Sequence, residues 1–274
     1  MVLESILNPK AAEDRPIYVF VLAILFSIIA IFLSYQLFPT QASILAVAFV
    51  SILFVPFFQR LFSVEEKRDE VAVKNKRVKI KQENLFMRHR KVILVYSAFF
   101  LGVIIAFSFV FVFYPHMENV FSLQMDWFRG QGITGQAVGD DAFSRYFVNN
   151  TQVMLIAFAF SILFGAGSIF ILSWNASVIA VYVGFIVNKF TAGLGTTAAF
   201  LYGVPVGLGS IALHGIPEIA AYFFAAIAGG VLSVGILREQ WMSPEFKEVA
   251  KDAIVFMIIA EVLIVVAAWL EAAF

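Results

Sequence analysis

The sequence of 274 residues contains no cysteine. This excludes a disulfide framework, a thiolate nucleophile and a cysteine-ligated metal, and it leaves the redox compartment unmarked. Charge is scarce too: Asp, Glu, Lys and Arg make up 14% of the chain, against about 25% in globular proteins. With 61% hydrophobic residues, the chain has too little polar surface to cover a water-soluble domain of its length. A soluble enzyme, a disordered tail and a nucleic-acid-binding module are thereby excluded. The 19 basic residues balance the 19 acidic ones, so only the placement of charge is informative. The 32 phenylalanines suggest a lipid-facing surface.

A helix crossing a bilayer needs about 20 mostly apolar residues. Residues 17–38 meet this without a charge, starting after Asp14-Arg15-Pro16, where Pro suits a first helical turn. Residues 40–58, 92–114, 148–172, 175–188 (a short one), 219–237 and 253–270 follow. Between them lies the ambiguous segment 198–213, with Gly203, Pro205, Gly207 and Gly209 inside it. Sixteen helical residues cover about 24 Å, less than the roughly 30 Å hydrocarbon core. It reads as a re-entrant or broken helix, tolerated only where protein covers its backbone, with a thin eighth span as the competitor. The predicted fold is all-α: a polytopic helical membrane protein of about seven spans plus this Gly/Pro-rich segment. Glu4, Lys10, Glu13, Asp14 and Arg15 at the start leave no room for a cleavable signal, so the first span is expected to be a retained anchor.

Residues 60–91 hold 11 of the 19 Lys/Arg and five acids. Short basic loops stay in the cytoplasm, which predicts a cytoplasmic N-terminus and loop in a multi-pass protein of the cell membrane. Residues 115–147, with only Arg129 and Arg145 as basic residues, then lie outside, and the turn Ser173-Trp174-Asn175 lies inside. Re-entry of 198–213 would bring Arg238, Lys247 and Lys251 to the cytoplasm and put the C-terminus outside; a full span would reverse both. The charge rule favours re-entry. Ser243-Pro244-Glu245 reads as a helix start, and Glu248 and Lys251 are spaced to pair. The organisation is a transmembrane hairpin over 1–59, a basic cytoplasmic segment over 60–91 and a core over 92–274 with its external segment at 115–147. Glycine is absent from the first two spans and frequent later (Gly165, Gly167, Gly184, Gly229, Gly230). Small residues let helices approach closely in lipid, which implies a tight C-terminal core and a peripheral N-terminal hairpin.

Three marks in the second half carry a resemblance. Phe147-Val148-Asn149-Asn150 opens a span holding Gly165 and Gly167; Trp174-Asn175 follows; then comes His214-Gly215-Ile216-Pro217-Glu218 before a span with Gly229 and Gly230. In order and spacing the region from Val92 to Phe274 resembles the stage II sporulation protein M family of integral membrane proteins, including its archaeal branch. At the second mark the family shows Asn-Gly, whereas here Ala176 follows Asn175. The resemblance implies a fold and a precedent. In spore-forming bacteria the named member is similar to a membrane scaffold working with peptidoglycan-degrading partners during engulfment.

Ionisable residues within a membrane are costly and suggest function by default. His214 and Glu218 would share a face on one helix, but Pro217 suggests a boundary, with both at the mouth of a span. They read either as caps for freed backbone or as a binding or proton-handling pair. One His and one Glu are too few for a metal. Glu261 lies nine residues past Asp252, about 13 Å deeper along a helix. It should face the bundle and find a donor, expected in the Gly-rich segment or at His214. Asn149 and Asn150 read as capping and interhelical bonding groups, and Asn149-Asn150-Thr151 also fits a glycosylation acceptor. Asn175 reads as the cap of the helix after it, and Lys189 as a residue that snorkels to the interface.

Among the soluble segments, Lys74, Lys76, Arg77, Lys79, Lys81, Arg88, Arg90 and Lys91 form a basic patch suited to anionic lipid headgroups or a cytoplasmic partner. No Pro or Gly interrupts residues 64–91, so helices should extend into this segment. Met125-Asp126-Trp127-Phe128-Arg129 suggests a short interfacial helix followed by a Gly-rich loop. No P-loop or metal-ligand cluster is present, and Ser210 is followed by Ile211-Ala212, not by the Gly a serine-hydrolase elbow requires. The expectation is a non-enzymatic scaffold or assembly protein without cofactor, metal or nucleic acid, contacting membrane lipids, protein partners and further copies of itself. The alternative is a small-solute or ion transporter or channel built on a broken helix with buried His and Glu.

Overall fold

A computed structural model describes residues 8–74, 85–131 and 142–273. Its elements are α1 (Pro9–Asp14), α2 (Pro16–Leu37), α3 (Ala42–Lys74), α4 (Leu85–Phe113), a 3-10 helix (Pro115–Phe121), α5 (Ser122–Gln131), α6 (Ala142–Phe164), α7 (Ser168–Leu194), α8 (Thr196–Arg238) and α9 (Pro244–Ala273). Among the described residues seven helices (α2, α3, α4, α6, α7, α8 and α9) are long and apolar enough to cross a membrane. The protein is an all-α, multi-pass membrane protein.

Local chemistry sets the ends. The Asn8 side chain accepts from the Lys10 backbone N–H at 3.0 Å, and Pro9 and Pro16 occupy first turns, where a missing N–H costs nothing. At α9 the Ser243 Oγ accepts from the Phe246 N–H at 3.1 Å, and Glu248 lies 3.9 Å from Lys251. The helices around the basic segment do extend into it, to Lys74 and from Leu85. An interfacial pair, the 3-10 helix and α5, follows α4. It is latched by Gln124, which accepts from Ser43 of α3 at 2.7 Å and donates to Ser177 of α7 at 2.9 Å.

The interior is an aromatic spine. Phe54 meets Phe99 at 4.8 Å between ring centroids, Phe58 meets Tyr96 at 4.6 Å, and Phe223 of α8 meets Tyr96 at 5.5 Å. Phenylalanine is therefore split between two roles. Phe54, Phe58, Phe62, Phe99 and Phe107 are fully buried, whereas Phe32, Phe143, Phe160 and Phe164 face outward. Ile17, Val21, Leu25 and Ile29 make α2 an apolar outer surface, as a lipid solvent requires. The expected peripheral hairpin holds for α2 alone. Helix α3 lies within the core, because its large rings fill the space between α4 and α8. Close approach of α2 uses a glycine on its neighbour: a Cβ at Gly102 would lie 2.7 Å from both the Ala23 Cβ and the Phe20 carbonyl oxygen.

Two expected boundaries are corrected. The predicted turn at Ser173-Trp174-Asn175 is helical; the chain turns instead between Phe164 and Ser168, where Gly165 has φ +72°. Gln59 donates to the freed Phe164 carbonyl at 3.0 Å. Spans of 148–172 and 175–188 thus become α6 and the longer α7. The segment 198–213 is neither broken nor re-entrant but the first half of the 43-residue α8. Pro205 and Pro217 each remove one backbone donor, but the helix continues through both. Its first half packs on α7, where Gly203 and Gly207 meet Val187 and Val183; its second half packs on α3, α4, α6 and α9. Arg238 then reaches the Ser63 carbonyl at 3.5 Å, at the bundle end where Lys91 pairs with Asp14 at 2.6 Å.

Candidate functional site: a polar cluster where α6, α8 and α9 meet

Helix α6 turns a stripe of Asn150, Met154, Ala157 and Ser161 inward. This stripe faces α8: the site of a Gly229 Cβ would be 2.5 Å from the Phe158 carbonyl oxygen and 2.6 Å from the Ser161 Cβ, and Ser233 Oγ donates to the Ile162 carbonyl at 2.8 Å. Two turns before Gly229 along α8 lies Tyr222. There the Tyr222 hydroxyl donates to Glu218 Oε1 at 2.8 Å. Glu271 of α9 lies within electrostatic reach of Glu218 and Tyr222, and Tyr146 of α6 within reach of Glu271.

Ten residues before Glu271 on α9, Glu261 Oε1 accepts from Thr151 Oγ1 at 3.2 Å, tying α6 to α9. The expected partners of Glu261, the Gly-rich segment and His214, are replaced by the residue next to the paired asparagines. Asn149 Nδ2 donates to Asn150 Oδ1 at 3.0 Å; Asn150 is 4% exposed, and its own Nδ2 has no hydrogen-bond partner among the described residues. His214 and Glu218 do share a face, because one continuous helix carries both. Glu218 consequently lies in a helix interior and not at a helix mouth. His214 is half-buried and makes no side-chain hydrogen bond with Glu218 among the described residues.

The remaining predicted residues lie elsewhere. Asn175 is in mid-helix and donates to the Ile171 carbonyl at 2.8 Å, so it caps nothing. In the basic patch Arg90 and Lys91 are exposed. Lys76, Arg77, Lys79 and Lys81 lie outside the described residues, as do the side chains of Lys74 and Arg88. Among the described residues no group of three His, Asp or Glu side chains is placed to hold a metal.

Tyr146, Tyr222 and Glu271 were not singled out from the sequence, and Thr151 was read only as part of a glycosylation acceptor. Glu271 falls just beyond the expected end of the last span, and its distance of ten residues from Glu261 was the available signal. A second buried polar pair was also missed: His89 Nδ1 of α4 lies 3.5 Å from Glu65 Oε1 of α3, with the His89 ring edge-on to Phe256 at 5.0 Å.

The three sequence marks therefore fall on the helices that build the cluster or border it. The family model of stage II sporulation protein M matches residues 92–274, about two thirds of the chain. The chain belongs to the stage II sporulation protein M family. The matched part of this family member holds most of α4 and all of α5 to α9, including Asn149, Asn150, Asn175, His214 and Glu218. No curated protein and no solved structure gives a significant match.

Proposed function

We propose that this member of the stage II sporulation protein M family is a non-enzymatic membrane scaffold, holding partner proteins at the bilayer without transporting a solute. The observation that carries the reading is the Thr151–Glu261 bond. A carboxyl deep in the last helix is given an internal donor, which ties two helices together instead of facing a path for ions. The aromatic spine of α3, α4 and α8 supports a static, filled interior.

The clustering of basic residues over 60–91 supports a cytoplasmic N-terminus by the positive-inside rule. Arg238 shares the end of the bundle that holds Ser63 and Lys91, which supports a cytoplasmic stretch from Arg238 to Lys251 with α5 and the C-terminus outside. Anionic headgroups are the lipid partners of the basic patch, and the external 3-10 helix and α5 offer a docking element outside.

Purification in native lipid particles, paired with a flux assay on the protein reconstituted into vesicles, tests the proposal. A stoichiometric co-eluting protein and flux no greater than in empty vesicles are expected. Solute or ion flux that is abolished by Glu218→Gln or Glu261→Gln, with no co-eluting protein, would replace the scaffold with a transporter.

A further inference from the structure

Helix α6 is the least covered of the seven long helices: 22% of its apolar stretch is buried, against 78% for α8. Its outer face nevertheless carries amides. Asn149 and Gln152 are exposed, and among the described residues no side-chain hydrogen bond involves Gln152. Gln152 stands ten residues from the start of α6 and twelve from its end, about 15 and 18 Å along the axis. That is the middle of the hydrocarbon layer, where an amide facing acyl chains loses its hydrogen bonds to water without replacement.

The outer face also has a period. Arg145, Asn149, Gln152, Ile156, Ala159 and Leu163 follow one another at spacings of 4, 3, 4, 3 and 4, and all are exposed. This is the alternation that keeps one seam of a helix against a parallel neighbour over its full length. The seam runs opposite the Asn150–Ser161 stripe that faces α8, along the midline of the uncovered surface.

We propose that this seam is a self-association surface, on which α6 packs parallel to α6 of a second copy about a two-fold axis along the membrane normal. Copies inserted with the same orientation meet at the same depth, so Gln152 meets Gln152. A carboxamide is its own complement: each donates through Nε2 and accepts through Oε1. A polar residue inside an otherwise apolar seam also sets register and partner number. Arg145, the one charge on the seam, sits in the first turn of α6, where headgroups and water keep the two copies' charges solvated. The proposal is independent of the scaffold reading, since a dimer would serve a transporter equally well.

The absence of native cysteine makes the test direct. Single variants Asn149→Cys, Gln152→Cys and Ile156→Cys, oxidised in native membranes, should give disulfide-linked dimers, while Val153→Cys and Leu25→Cys should give few or none. Gln152→Leu should weaken the dimer about three- to thirty-fold in lipid particles, with Gln152→Asn retaining most of the association and the monomer's melting temperature unchanged. Equal cross-linking at seam and control positions, a monomeric mass in native lipid, or cross-links to a different protein would each overturn the two-copy seam.

Discussion

Thr151 and Glu261 face each other from α6 and α9 at a depth where water is not available to either. The carboxyl gains a donor and the hydroxyl gains an acceptor, and neither helix can turn about its axis without losing both. Interhelical polar contacts in lipid contribute about 0.5–2 kcal/mol. Thr151→Val should lower unfolding stability in lipid by that amount, measured by steric trapping or thermal scanning; unchanged stability would mean that the contact carries no weight. That a carboxyl at position 261 needs a donor follows from its depth alone, which the sequence makes plain. Which residue supplies it does not, because helix neighbours are set by packing between segments more than a hundred residues apart. Tyr222 and Glu271 were hidden for the same reason: an aromatic hydroxyl and a carboxyl near a helix end look ordinary until a third helix brings them together.

Glycines set the distances between elements. At Gly229 a methyl group would fall 2.5 Å from the Phe158 carbonyl oxygen of α6, whereas at Gly209 nothing lies within 4 Å. Gly229→Ala should therefore push α6 and α8 apart and destabilise the protein by about 1–3 kcal/mol. Gly209→Ala should be neutral or should stabilise α8 by up to about 1 kcal/mol, since alanine is the better helix former. The same loss at both positions in thermal scanning would contradict the close α6–α8 packing. Most long helices could be read from unbroken apolar runs. The errors came where hydropathy and backbone geometry diverge. The turn at Gly165 depends on one positive φ within an apolar run, so Gly165 and Gly167 looked like part of a span, and the polar Asn175, bonded inside its own helix, was mistaken for a boundary. In α8, Pro205 and Pro217 suggested a break, but each removes only one hydrogen bond, and packing on α7 and α9 holds the helix through both.

Helix α8 joins the two parts of the molecule. Its first half pairs with α7, and its second half lies between the α3–α4 pair and the α6–α9 pair, so one rod contacts both faces of the bundle. The count of seven long apolar helices was legible, because span length and composition report it directly. The arrangement of the crossings was not, since α3 looks as lipid-like as α2 and only its large, interlocking rings reveal it as interior. The account as a whole predicts that residue 240 emerges on the face of the N-terminus and opposite the 3-10 helix. Labelling of single variants Asn8→Cys, Gln240→Cys and Glu118→Cys with a membrane-impermeant thiol reagent, in intact cells and in inverted vesicles, measures this directly. Asn8→Cys and Gln240→Cys should react together on one side and Glu118→Cys on the other. Labelling of Gln240→Cys on the same side as Glu118→Cys would contradict the path of α8 and the seven-span bundle built around it.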